Sequence, residues 1–170
     1  MRSTSCWWRA GRSMAALRKL ALTVALFASA SIANAADQPS ISSETARAGM
    51  TCILSAAKAG VDRSRFKADQ NWTPSSNGTD FTHRSMPIAI VFPLDSDGIA
   101  RICEVRATLP SQDDQVSLGA TLASTLKRKP LQQKDSMIWM LGTKSGTRGL
   151  QYFPDKQSPQ PKVRLIGAAF

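Results

Sequence analysis

Between residues 99 and 109 apolar and polar side chains alternate. Ile99, Cys103, Val105, Ala107 and Leu109 fall on one side, with Arg101 the exception, and Glu104, Arg106 and Thr108 fall on the other. Successive residues of a strand point to opposite faces, so this pattern specifies a sheet with one buried face and one face toward water. Residues 88–92 form a short apolar run just upstream, and Asp95, Ser96, Asp97 and Gly98 between the two segments supply turn chemistry. The two segments read as a β-hairpin. Asp95 and Asp97 also resemble a fragment of a calcium loop, but Pro93 stands where the first ligand would fall and the chain continues as strand. The turn reading is the simpler one.

Helices flank this hairpin. Ser42 and Ser43 are N-cap candidates with Glu44 in the first turn, followed by an apolar stripe of Ala46, Met50, Ile53, Leu54 and Ala57 and a stop at Gly60. A second helix begins near Ser111, with Asp113 and Asp114 in its first turn, and carries Val116, Leu118, Leu122, Ala123 and Leu126 up to Pro130. Residues 137–141, 149–153 and 162–166 read as three strands of a meander. The expected order is α-β-β-α-β-β-β, an α+β domain with an antiparallel sheet of about five strands and two helices on one face. Residues 61–86 are expected to be rich in loops, with turn residues at 71–78. No repeat of solenoid length is present.

Two cysteines belong to this domain. Cys52 lies on the flank of the first helix and Cys103 on the core side of the hairpin, 51 positions apart. A helix-to-strand disulfide is expected, which the loop-closure model values at about 4 kcal/mol. No C-x-x-C spacing suggests redox chemistry.

The N-terminal segment has the three parts of a cleavable secretory signal peptide. Arg18 and Lys19 precede an apolar run from Leu20, and Ala33, Asn34 and Ala35 form an A-x-A site. Cleavage after Ala35, or one residue later, would leave a single mature domain of residues 36–170. The apolar run falls short of the roughly 20 residues that span a bilayer, so the mature chain is not expected to be anchored. The compact leader starting at Met14 is the expected true start. Periplasmic or secreted localisation follows, in a bacterial envelope. The chain carries a net charge of +10, but five of its cations and none of its acids lie in the leader, which leaves +5 for the remainder.

No motif for catalysis, a metal or a cofactor stands out. His83 is the lone histidine, so a multi-histidine zinc site is excluded. Its simplest reading is an exposed loop residue, and the alternative is a hydrolase built from His83 and scattered polar residues. Lys127, Arg128 and Lys129 form the densest basic cluster, read either as cations completing a helix C-terminus or as a site for anionic envelope polymers or lipid head groups. Nucleic acid is not expected, because aromatics make up only 6% of the chain and two of the four tryptophans fall in the leader. Trp139, with Met137 and Met140, reads as core before it reads as a ligand pocket. The leading expectation is a small exported, non-enzymatic binding or accessory protein acting on an unknown envelope partner.

Overall fold

The computed structural model describes residues 39–144 and 146–170. The leader and the choice between Met1 and Met14 lie outside the described residues. In chain order the elements are α1 (Ile41–Ser55), α2 (Ser64–Lys67), β1 (Trp72–Pro74), β2 (Phe81–His83), β3 (Ile88–Val91), β4 (Ile102–Thr108), α3 (Gln112–Leu126), β5 (Leu131–Gln132), β6 (Met137–Thr143), β7 (Gly146–Phe153) and β8 (Lys162–Ala169). The strands form one antiparallel sheet in the order β1-β2-β3-β4-β8-β7-β6-β5. Two four-stranded meanders, β1–β4 and β5–β8, therefore meet where β4 pairs with β8. A long helix precedes each.

The class is α+β, as expected, but the sheet has eight strands and not about five, and a short third helix is added. Much of the difference arises within 61–86. There, Phe66 of α2 packs edge-on to Trp72, with ring centroids 6.2 Å apart, and contacts Phe81 and Phe92 at 5.9 and 5.7 Å. Each such pair adds about 0.5–1.5 kcal/mol beyond area burial. Aromatics that are far apart in sequence thus fasten a segment whose local composition favours turns. The 3-residue strands they bring together carry little alternation to read.

The hairpin holds. Ile88 pairs with Ala107 and Val91 with Glu104, and Cys103, Val105, Ala107 and Leu109 are buried. The strand starts only at Ile102, so Ile99 stays in the turn and is 38% exposed. Both long helices cap with serine: Ser40 Oγ accepts from Ser43 N–H, two and three residues ahead of the expected caps Ser42 and Ser43, and Ser111 Oγ accepts from Asp114 N–H. Leu54 and Val116, placed on the apolar stripes above, are exposed instead.

Both long helices lie on one face. α1 packs over β4, β7 and β8, and α3 lies beside α1, where Tyr152 Oη of β7 reaches the Gln115 carbonyl at 3.4 Å. Ile53, Leu118, Leu122, Trp139, Leu150, Tyr152 and Leu165 fill the layer between them. Cys52 of α1 and Cys103 of β4 are disulfide-bonded, with Cα atoms 5.3 Å apart and both residues fully buried. Among the described residues no helix is long and apolar enough to cross a membrane.

Candidate functional site

Among the described residues, no helix lies on the opposite face of the sheet. Strand alternation and register place on it, row by row, Thr108 and Lys162; Ala89, Arg106, Arg164 and Phe153; Val91, Glu104, Ile166, Gln151 and Ile138; and Ile102, Ala168, Gly149 and Met140. The rows change character along the strands, with cations at one end and aliphatic side chains at the other.

Arg106 and Arg164 stand directly opposite each other on β4 and β8. Like charges in that position repel, and Glu104 resolves the conflict. Arg106 donates from Nε to Glu104 Oε1 at 2.9 Å and from Nη2 to Oε2 at 3.3 Å, while Arg164 Nη1 lies 3.7 Å from Oε1. Glu104 is 5% exposed, so its carboxylate lies beneath the two guanidinium groups. The hydrogen bond from Arg106 to Glu104, helped by the latter's charge, raises the Arg106 pKa above its ordinary value. Arg164 is also stacked 4.8 Å over the Phe153 ring. Both arginine side chains are nevertheless half exposed, so each is anchored at one edge and open at the other.

With Lys162 on the next row, the cluster gathers three cations about the buried Glu104, while Asp80 acts on Arg106 from a distance and Asp155 accepts the Lys162 backbone N–H at 3.2 Å. It borders a groove of about 470 Å³ whose lining includes Met86, Pro87, Thr82, Thr108 and Lys162. Fixed guanidinium groups with free donor edges suit a carboxylate or phosphate group, which a planar fork can grip through two hydrogen bonds.

The residues singled out from sequence fall elsewhere. Lys127, Arg128 and Lys129 are exposed at the end of α3, leading into β5, three strands beyond β8, and so do not join the arginine pair. Lys127 is the helix C-cap, in the left-handed region at φ 51°. Asp95 and Asp97 both accept hydrogen bonds from Arg101, which makes them turn residues paired with a cation; the described residues contain no cluster of potential metal ligands. Trp139 is buried against the helices, whereas Met140 faces the open side.

His83 is the clearest correction among these. Its side chain is 5% exposed and sits on β2, not on an open loop. Nε2 lies 3.4 Å from Glu44 Oε1, the ring packs edge-on to Trp72, and Nδ1 accepts the Ser85 N–H at 3.3 Å with Ser85 Oγ at 3.5 Å. These partners assign the ring proton to Nε2. Glu44 is itself buried and accepts from Arg47 Nε at 2.8 Å and from Arg47 Nη2, and Arg47 donates onward to Asp69 at 2.6 Å. The hydrogen bond with Glu44 raises the Arg47 pKa, against the opposing effect of burial. This chain of contacts ties α1 to β2 and to the turn before β1.

Comparison with protein-family models, curated proteins and solved structures finds no match for this chain.

Proposed function

We propose that this chain is a small exported, non-enzymatic binding protein that holds anionic envelope material on the open face of its sheet. The observation that carries this reading is the arginine pair, Arg106 and Arg164, anchored by the buried Glu104 and joined by Lys162. A buried carboxylate that holds two like charges opposite each other has a stability cost that an uncharged pair would avoid. Their half-exposed edges lie on a surface that no helix among the described residues covers, which is where an anion would be received. The disulfide supports an oxidising destination, and the A-x-A leader supports export. The site is thus assigned to β4 and β8 in preference to residues 127–129.

The test uses the full chain expressed with its own leader and recovered in oxidised form. Binding is measured to vesicles of anionic phospholipid, to neutral phosphatidylcholine vesicles and to a soluble anionic polysaccharide. Wild type is expected to bind at least one of the anionic probes in a salt-sensitive way. R106Q/R164Q is expected to lose that binding, and K127A/R128A/K129A to keep it. Retention unchanged in the arginine variant overturns the reading.

A second reading, an ester hydrolase, has one observation in its favour: Glu44, His83 and Ser85 stand in sequence within 3.4 and 3.5 Å of one another. Against it, Nδ1 already accepts the Ser85 backbone N–H. Hydrolysis of p-nitrophenyl butyrate by wild type, abolished in Ser85→Ala, would establish this second reading. Absence of turnover, or turnover unchanged by the substitution, removes it.

A further inference from the structure

Resting on the binding reading above, we infer that the ligand is a single-headed anionic amphiphile, its phosphate or carboxylate held by Arg106, Lys162 and Arg164 and its acyl chain laid over the aliphatic end of the same face. The segregation of side chains along the strands leads to this. On β8 the outward positions run Lys162, Arg164, Ile166, Ala168, and on β4 they run Thr108, Arg106, Glu104, Ile102. At roughly 3.3 Å per residue the outward row of β8 extends about 20 Å from its first cation to its last small apolar residue. Ile138 and Met140 of β6 widen the aliphatic end, and the Phe170 ring folds onto it. A Cβ at Gly149 would meet that ring at 2.9 Å and Met140 Sδ at 3.3 Å, so the glycine gives the aromatic its seat. Met140 and Phe170 remain 36% and 59% exposed.

Charge decides between this occupant and an acidic polymer. A polymer presents charge repeatedly along its length and is met by cations spread along a groove. Here the open face gathers its cations at one end, and the Glu104 charge between the two ends is buried under Arg106 and Arg164. One charged head followed by an uncharged tail matches that order. The groove beside Met86 and Pro87 gives the head room, with the Thr82 and Thr108 side chains at hand as further polar partners.

The experiment is calorimetric titration of the oxidised full chain, with each amphiphile below its critical micelle concentration. The probes are oleoyl lysophosphatidate, oleate, glycerol 3-phosphate (a head without a chain), oleoyl lysophosphatidylcholine (a chain on a neutral head) and polyglutamate. At least one anionic amphiphile is expected to bind about tenfold or more tightly than either glycerol 3-phosphate or lysophosphatidylcholine. Preference for the phosphate head assigns a phospholipid-derived source, and preference for oleate assigns a fatty acid. R106Q/R164Q is expected to weaken the tighter amphiphile about tenfold. Met140→Ser, at an exposed position that does not threaten folding, is expected to weaken both amphiphiles while leaving glycerol 3-phosphate unchanged. Equal affinity for glycerol 3-phosphate or for the neutral lysolipid overturns the inference, as does self-association through this face with no lipid bound. Arginine-dependent binding of polyglutamate alone overturns it while leaving the broader binding reading standing. If the arginine variant alters binding of no probe, both fall.

Discussion

A Cβ placed on Gly167 would lie 2.9 Å from both the Cys52 carbonyl carbon and the Ile53 nitrogen, which are backbone atoms of α1. Helix and sheet therefore touch at this point with no side chain between them, and neither backbone can rotate out of the way. Gly167→Ala is expected to lower stability by about 1–3 kcal/mol, read from the urea midpoint at constant m-value. The opposite outcome is expected at Lys127. Its φ of 51° is a left-handed conformation that burdens any residue with a Cβ, and its side chain is exposed. Lys127→Gly should raise stability by roughly 0.5–1 kcal/mol in the same assay, because glycine removes that steric cost.

Among the elements, the turn between β3 and β4 is held by charge. Asp97 accepts from Arg101 Nη1 at 3.0 Å and from the Ile99 N–H at 3.0 Å, and Asp95 accepts from Arg101 at 2.7 Å. The Arg101 hydrogen bond, then that of Ile99, holds the Asp97 carboxyl below the ordinary carboxylate range. A depressed folded pKa means that the contribution is fully present above the unfolded value of about 3.9 and is lost as pH falls through the folded value. NMR titration should place the Asp97 midpoint below that reference in wild type and move it upward in Arg101→Gln. An unchanged midpoint would show that the arginine is not the cause. The Ser111 cap of α3 belongs to the same scale: Ser111→Ala should cost about 1 kcal/mol in thermal or urea unfolding, through the lost bond to the Asp114 N–H.

For the whole molecule, the disulfide links the first long helix to the centre of the sheet across 51 positions. Cys52→Ala/Cys103→Ala should lower unfolding free energy by about 3–4 kcal/mol, with most of the effect in the unfolded chain, which the bridge otherwise restrains. An equal urea midpoint for the oxidised wild type and the double variant would refute this. N-terminal sequencing of the envelope fraction is expected to find Ala36 or Asp37 at the mature end, and full-length chain in the cytoplasm alone would count against export.

Several features were legible in the linear chain because they depend on local periodicity or on residue chemistry alone. The alternation from Cys103 to Leu109, the turn at 95–98, the helix start near Ser111 and the pairing of Cys52 with Cys103 are of this kind. Strand count was not, since Phe66, Trp72, Phe81 and Phe92 order the 61–86 segment only by meeting in space. Nor was the site. Glu104 and Arg106 were visible as outward residues of one strand, and Lys162 and Arg164 repeat the two-residue spacing of charge on another. The antiparallel pairing of β4 with β8 makes them neighbours, and pairing between strands more than fifty residues apart is set by the packing of both meanders under the helices. His83 follows the same rule: its type was evident, but its burial against Glu44 exists only once α1 lies over β2. Local interactions thus determined the longer elements, and long-range burial decided the short strands of 61–86 and which charges would share a face.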